Sequence, residues 1–71
     1  MDLGEEIVRE YLGPLYYFTL KKTSNRYEAE DLSQEIICEL LDALERGNRP
    51  TDVRAWVWTI ARNCYARWAE R

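Results

Sequence analysis

Histidine is absent from this sequence of 71 residues, and cysteine occurs only twice. Histidine is the commonest general base in enzymes, and no serine or cysteine here has an obvious base partner, so no apparatus for nucleophilic catalysis is visible. The two cysteines, Cys38 and Cys64, form no CxxC pair, which argues against a zinc site and a disulfide framework. We therefore predict a protein that is not an enzyme, needs no metal or cofactor, and has two buried thiols.

Residues that break helices and long apolar runs are also scarce. The chain has three glycines and two prolines, its apolar residues recur at spacings of three and four, and no segment alternates with the period of a strand. These features predict an all-α fold in one small domain. No apolar run approaches the roughly 20 residues needed to cross a bilayer, and the acidic N-terminus lacks the features of a secretory signal. We expect a cytoplasmic protein.

Two short helices are predicted before residue 23. Asp2 can cap the first helix, with Glu5 three residues later, and Gly13 suits a C-terminal cap. Proline is favoured in the first turn of a helix, so we expect a second helix to begin at Pro14 and to run to about Lys22.

The next two predicted helices have clearer ends. Asn25, with a glutamate three residues later, predicts the start of a third helix that runs to about Arg46 and ends at Gly47. After the loop 47–50, Thr51 is the predicted N-cap of a fourth helix, with Asp52 in its first turn. This helix is expected to continue to the C-terminus. The fold that these segments predict is a small bundle of three to four helices.

The third predicted helix has one apolar face and one acidic face when its residues are spaced at about 100° each. Because no basic residue lies between Tyr27 and Glu45, the acidic face has no neutralising partner within the helix. An external basic partner would explain this face, and so would an acidic stripe kept for solubility. The apolar face comprises Ala29, Leu32, Ile36, Ile37, Leu40, Leu41 and Leu44, and the acidic face comprises Glu28, Asp31, Glu35, Glu39 and Asp42.

The fourth predicted helix combines a core face with aromatic and basic flanks. Trp56 and Trp58 fall on opposite flanks, and arginines alternate with aromatic residues around the exposed surface. Arginine neutralises phosphates, and an aromatic face stacks on an unpaired base for roughly 1–3 kcal/mol, so single-stranded nucleic acid is one predicted ligand. Completion of a small core is the other explanation for the two tryptophans. The core face comprises Val53, Val57, Ile60, Ala61, Cys64 and Trp68.

The formal net charge of −3 conceals an uneven distribution along the chain. Residues 1–45 contain four basic and eleven acidic residues, a balance of −7, whereas residues 46–71 contain six arginines and two acidic residues, a balance of +4. This asymmetry favours an acidic surface that meets a basic protein and a basic surface that meets an anion such as a nucleic acid backbone. Unevenly solvated helices would give the same pattern.

Two segments of the chain carry a resemblance to a known family. Residues 29–35 read AEDLSQE and residues 54–63 read RAWVWTIARN, in that order and on successive long helices. Together they resemble region 2 of the sigma-70 family of RNA polymerase sigma factors, and in particular its extracytoplasmic-function (ECF) group. Residues 12–23 resemble the first conserved helix of that region, so the likeness covers nearly all of the single domain 1–71. Complete factors have a second domain, of the helix-turn-helix type, that has no counterpart here. We therefore expect the chain to be one domain of a longer factor.

The resemblance implies that the third helix docks on the clamp helices, a coiled coil in the largest subunit of core RNA polymerase. Asp31, Gln34 and Glu35 occupy the positions that the family uses, with Leu32 beneath them. The charge pattern separately assigns Asp31 and Glu35 to the acidic face that lacks a basic partner. A basic coiled coil would supply that partner.

The resemblance further implies that the fourth helix and the loop before it recognise and melt the −10 promoter element, with a base of the non-template strand flipped into a pocket. Flipping costs a few kcal/mol, which stacking and phosphate contacts must offset. The loop candidates are Arg46, Asn48 and Arg49, and the helix candidates are Arg54, Trp56, Trp58, Arg62, Asn63 and Arg67.

Two other functions stay open at this point. One is a sigma-like module that binds only proteins, the polymerase or an anti-sigma factor, without engaging DNA; the isoelectric point of about 4.9 favours it, and the arginines and tryptophans of the last helix oppose it. The other is a small helix-turn-helix repressor, but no pair of short helices joined by a tight turn presents a recognition helix. An anti-sigma factor is an expected partner in either sigma-type function, and a membrane is not.

Overall fold

The computed structural model describes residues 2–71, and within them the chain forms three α-helices and no strand. The helices are α1 (Leu3–Lys22), α2 (Arg26–Glu45) and α3 (Val53–Ala69). The central helix is α2, which packs against both α1 and α3. The predicted all-α bundle is therefore confirmed, with three helices. None of the described helices is both long enough and apolar enough to span a membrane.

One continuous helix, α1, replaces the two short helices predicted before residue 23. Gly13 and Pro14 both lie inside α1, so the predicted helix end at this point is wrong. Pro14 cannot donate a hydrogen bond to the carbonyl of Glu10, but both residues are exposed, so water can reach that carbonyl. A residue before proline is normally pushed out of the helical region by its own Cβ, and Gly13 has none. The helix can therefore continue through the proline.

The end of α2 is the one predicted from Gly47. This glycine has a φ of 102°, and no other glycine among the described residues has a positive φ. Its N–H donates to the carbonyl of Leu44 (3.0 Å), and the N–H of Asn48 donates to the carbonyl of Ala43 (3.1 Å). These two bonds form a Schellman motif, which satisfies carbonyls that the helix end would otherwise leave free.

Two of the three N-cap residues are those predicted from the sequence, and the third is a different residue. Asp2 and Asn25 accept hydrogen bonds from the backbone N–H groups three residues later, as predicted. The predicted N-cap of the last helix, Thr51, is wrong. Asp52 is the cap, and its carboxylate accepts from the N–H of Ala55 at 3.1 Å. A carboxylate combines the hydrogen bond with a favourable interaction with the positive end of the helix dipole, so it displaces the threonine.

The core is a small cluster centred on the apolar face of α2. Most of the residues predicted for the core faces of the last two helices are buried or half-buried. Leu41 is an exception, because 38% of its surface stays exposed. Cys38 is also exposed, so its predicted burial is wrong, whereas Cys64 is buried as predicted. The buried members of this cluster are Ile7, Leu15, Leu32, Ile36, Leu40, Val57, Ala61 and Cys64.

A buried threonine ties α1 to α2 across the core. The hydroxyl of Thr19 is completely buried and lies 2.9 Å from two backbone carbonyls, those of Tyr16 in α1 and Ala29 in α2. A buried hydroxyl without a partner would cost roughly 1–3 kcal/mol, so this contact fixes the register between the two helices. The first turn of α2 is thereby held close to the last turns of α1.

Replacing Pro14 with alanine should stabilise the domain. Pro14→Ala restores the missing helix hydrogen bond and removes a helix-interior penalty of about 3 kcal/mol, partly offset by a more flexible unfolded chain. We expect the free energy of unfolding, measured by urea denaturation, to rise by about 1–2 kcal/mol. Pro50→Ala, in the loop between α2 and α3, is the control and should lower stability by roughly 0.4–1 kcal/mol. A loss of stability in Pro14→Ala would indicate that the helix is interrupted at this position.

Candidate functional site

A shallow groove between α2 and α3 gathers most of the acidic face of α2. We call it the acidic groove, and its volume is about 500 Å³. Three of the four residues predicted to bind the polymerase line it, namely Asp31, Gln34 and Glu35. The other lining residues are Cys38, Glu39 and Asp42 of α2 and Arg67 and Arg71 from the end of α3.

The fourth predicted polymerase-binding residue, Leu32, lies in the core rather than in the groove. Its side chain is completely buried and packs in the same cluster as Ile36. Burying a leucine contributes about 1.5–3 kcal/mol, which anchors this turn of α2 to the rest of the domain. Leu32 therefore cannot touch a partner directly, and it supports the exposed residues Asp31 and Gln34 from beneath.

Two ion pairs cross the acidic groove. Nη2 of Arg67 lies 2.5 Å from Oε2 of Glu39, and Nη1 of Arg71 lies 2.9 Å from Oε1 of Glu35. The sequence excluded a basic partner for the acidic face only within α2, and for these two glutamates the partner comes from the C-terminal part of the chain. In contrast, Asp31 forms no ion pair with any residue that the structure describes.

Glu39 was not among the predicted site residues, although the sequence holds a signal for it. Glu35 and Glu39 are four residues apart on α2, and Arg67 and Arg71 are four apart in the segment predicted to be the last helix, which in the structure ends at Ala69. Residues at this spacing share one face of a helix. Because α2 and α3 run in opposite directions across the groove, the pairs form in reverse order. Two matched spacings of opposite charge would have indicated the contact.

A buried thiol holds Glu39 from the other side. The Sγ of Cys64, only 2% exposed, donates a hydrogen bond to Oε2 of Glu39 at 2.7 Å. Burial first, and the hydrogen bond to Glu39 second, raise the pKa of Cys64 to about 12. The hydrogen bond from Cys64 and the one from Arg67 lower the pKa of Glu39, although burial opposes the change. Glu39 is therefore a fixed, ionised carboxylate at the edge of the core.

The loop residues predicted to contact DNA are all exposed. Arg46 and Asn48 project from the end of α2. Arg49 folds back instead, and its Nη1 donates to the carbonyls of Leu44 (3.0 Å) and Asn48 (2.7 Å). Arg49 thus closes the C-terminal end of α2, where a positive charge interacts favourably with the helix dipole.

The six predicted DNA-binding residues of α3 do not form one continuous surface. Arg54 and Trp58 line a cleft of about 330 Å³ against α1. Arg67 faces the other way, into the acidic groove. Arg62 and Asn63 are exposed, and Trp56 is half-buried against the core. The structure therefore brings together only part of the set.

The flank of α3 that faces α1 is rich in aromatic side chains. Phe18 of α1 meets Trp58 edge-to-face, with ring centroids 5.6 Å apart, and meets Tyr65 at 6.3 Å in the same manner. Nζ of Lys22 lies 5.5 Å from the ring centroid of Tyr65 and 5.9 Å from that of Phe18. Lys22 of α1 and Arg54 of α3 thus place two cations beside partly exposed aromatic rings. Lys22 and Tyr65 were not among the predicted contacts.

Comparison with known proteins gives consistent results. Residues 7–71 match the family model described as Sigma-70 region 2. The chain is also similar to the RNA polymerase sigma factor YlaC of Bacillus subtilis (strain 168), with 26% identity over 70 residues. That alignment covers 99% of this chain and 40% of the relative, so the chain spans well under half of the length of the protein that it resembles. No solved structure matches the chain.

The two thiols should react at very different rates with an alkylating reagent. Exposed Cys38 is accessible to the reagent, whereas Cys64 is buried and has a pKa raised to about 12, so at about pH 8 it holds almost none of the reactive thiolate. We expect mass spectrometry to show one modified thiol in the native protein and two after denaturation. A native Cys38→Ser variant should stay unmodified. Rapid modification of that variant would contradict the buried contact between Cys64 and Glu39.

Proposed function

The chain belongs to the sigma-70 family as a region 2 domain, and on that premise we propose that it acts in transcription initiation, by docking on core RNA polymerase through α2 and capturing the −10 promoter element through α3. The observation that carries the proposal is the acidic groove. It presents Asp31, Gln34 and Glu35 on the side of α2 opposite the core. These are the residues that, by the family resemblance, contact the clamp helices of the polymerase.

The geometry of α2 supports a docking role. Leu32, Ile36 and Leu40 are completely buried, so the orientation of the helix is fixed by its packing. Asp31 and Gln34 are exposed as a consequence, and the Asp31 carboxylate forms no ion pair in the described chain. A basic coiled coil is complementary in charge to this face. Such complementarity speeds encounter and selects the partner.

Substitutions on this face should abolish docking without unfolding the domain. We expect the wild-type chain to bind a clamp-helix fragment of the largest polymerase subunit in a pull-down, and Asp31→Ala/Gln34→Ala/Glu35→Ala to lose that binding. The triple variant removes two negative charges. Glu6→Ala/Glu10→Ala removes two from exposed positions of α1 and is the matched control, which should still bind.

Helicity measured by circular dichroism should be the same in all three proteins, because the substituted side chains lie outside the core. Binding of the triple variant at the wild-type level would refute docking through this face. So would equal losses in the triple variant and its control, since that result would reflect net charge alone.

The proposed contacts with DNA lie on α3 and on the loop that precedes it. Arg54 and Arg62 are exposed and form no ion pair within the described residues, so both are available to phosphates. Trp58 is half-buried beside Arg54 and can offer part of its ring to an unpaired base. The DNA strand would continue past the end of α2, where it would meet Arg46, Asn48 and Arg49. Arg67 is the weakest member of the set, because Glu39 already holds its guanidinium.

Removal of the free arginines should weaken binding to single-stranded DNA that carries a −10 sequence. For Arg54→Ala/Arg62→Ala we expect a higher Kd in fluorescence anisotropy. The slope of the logarithm of the binding constant against the logarithm of the salt concentration should become shallower by about 0.7 for each phosphate that is no longer neutralised. Arg9→Ala/Arg26→Ala, which removes two exposed positive charges from α1 and from the start of α2, is the control and should keep the wild-type salt dependence.

Failure of the wild type to bind this DNA at low salt would favour the alternative function, a module that binds only proteins. One observation favours that alternative: two of the six arginines in residues 46–71 are engaged by glutamates, which reduces the positive charge that DNA would meet.

A further inference from the structure

The last turn of α3 and the residues just after it contribute two positive charges to the surface through which α2 is proposed to dock. Arg67 and Arg71 lie in the acidic groove and pair with Glu39 and Glu35. The side chains of the arginines are 58% and 59% exposed, and those of the glutamates are 37% and 38% exposed. Ion pairs this accessible to water exchange readily with other partners.

The two arginines have the chemistry that a basic helical partner would bring. Arg67 lies in the last turn of α3 and Arg71 lies two residues beyond its end, and their guanidinium groups reach two carboxylates that are one helical turn apart on α2. A basic helix laid along the acidic groove would need the carboxylates that Arg67 and Arg71 occupy. One of these, Glu35, is itself a proposed docking residue.

We propose that Arg67 and Arg71 are an internal competitor for the docking face, so that a basic partner binds α2 only by displacing the end of α3 from Glu35 and Glu39. The inference rests on the proposed docking of α2 on the polymerase. It adds a regulatory contact to that site. The free domain holds part of its docking face in a paired state, and docking is coupled to the release of two arginines.

The two pairs differ in how firmly they are held. Oε2 of Glu39 accepts from both Arg67 and the buried thiol of Cys64, which fixes the carboxylate in position. Glu35 has only Arg71 opposite it among the described residues. Displacement therefore begins at Glu35, next to the unpaired Asp31, and proceeds along α2 toward Glu39.

The expected size of the effect follows from the exposure of the pairs. Exposed ion pairs are weak, so the paired state is populated only a few times more than the open state. The apparent affinity for a partner is reduced by the fraction of the domain that is open. Removing both arginines should therefore lower the Kd for a basic partner by about twofold to fivefold.

The test is the Kd of the clamp-helix fragment for four forms of the 71-residue chain, measured by isothermal titration calorimetry. Arg67→Ala/Arg71→Ala should bind about twofold to fivefold more tightly than the wild type. Arg9→Ala/Arg26→Ala loses the same charge at exposed positions outside the groove, so it corrects for general attraction to a basic partner. Arg67→Lys/Arg71→Lys keeps both charges and should bind like the wild type.

Each result bears on a different claim. A gain in affinity confined to the double alanine variant supports internal competition. Equal affinities in the alanine variant and its control, or weaker binding by the alanine variant, would overturn it, and the second result would make the arginines part of the docking surface. If neither the wild type nor any variant binds the fragment, the proposed docking itself fails and the inference fails with it. Circular dichroism of each variant checks that the fold is intact.

Discussion

Burial of one face of α2 is the constraint on which the rest of this domain depends. Leu32, Ile36 and Leu40 are completely buried and form the centre of the core, and α1 and α3 pack on either side of them. A core this small leaves α2 no freedom to rotate, because any rotation would expose leucine and isoleucine side chains at about 1.5–3 kcal/mol each. The direction of the opposite, acidic face follows from this packing. The proposed docking surface is thus a consequence of core packing.

The same packing brings together the two oppositely charged parts of the sequence. Residues 1–45 are strongly acidic and residues 46–71 are basic, and the return of α3 along α2 sets arginines of the second part against glutamates of the first. The contact involves only the last turn of α3 and Arg71 just beyond it, at Glu39 and Glu35. The first turns of α3, which carry Arg54, face α1. Arg54 has no ion-pair partner in the described chain. The basic helix is therefore divided between an internal contact and a free surface.

Features set by neighbours in the sequence could be predicted, whereas features set by tertiary contacts could not. The caps at Asp2 and Asn25 and the helix end at Gly47 depend on a few adjacent residues, and all three were predicted correctly. The predicted break at Pro14 is wrong because packing of α1 on α2 outweighs the cost of one missing hydrogen bond. The ion pairs of Glu35 and Glu39 required knowledge of how α3 lies on α2. The assignments of residues to the docking and DNA-binding sites stay predictions.

Arg67 shows why position in the fold limits what a motif can assign. On a helix drawn by itself it belongs with Trp56 and Asn63 on a flank suited to nucleic acid, but in the folded chain its guanidinium bonds to the carboxylate of Glu39. A phosphate that recruits Arg67 would compete with Glu39 for this guanidinium. The hydrogen bond from Cys64, which is the largest cause of the lowered pKa of Glu39, is separate from that pair, and a basic partner would compete with Arg67 for the same carboxylate. Contacts on α2 and on the last turns of α3 are therefore linked through one carboxylate, whereas Arg54 and Arg62 can act independently of it.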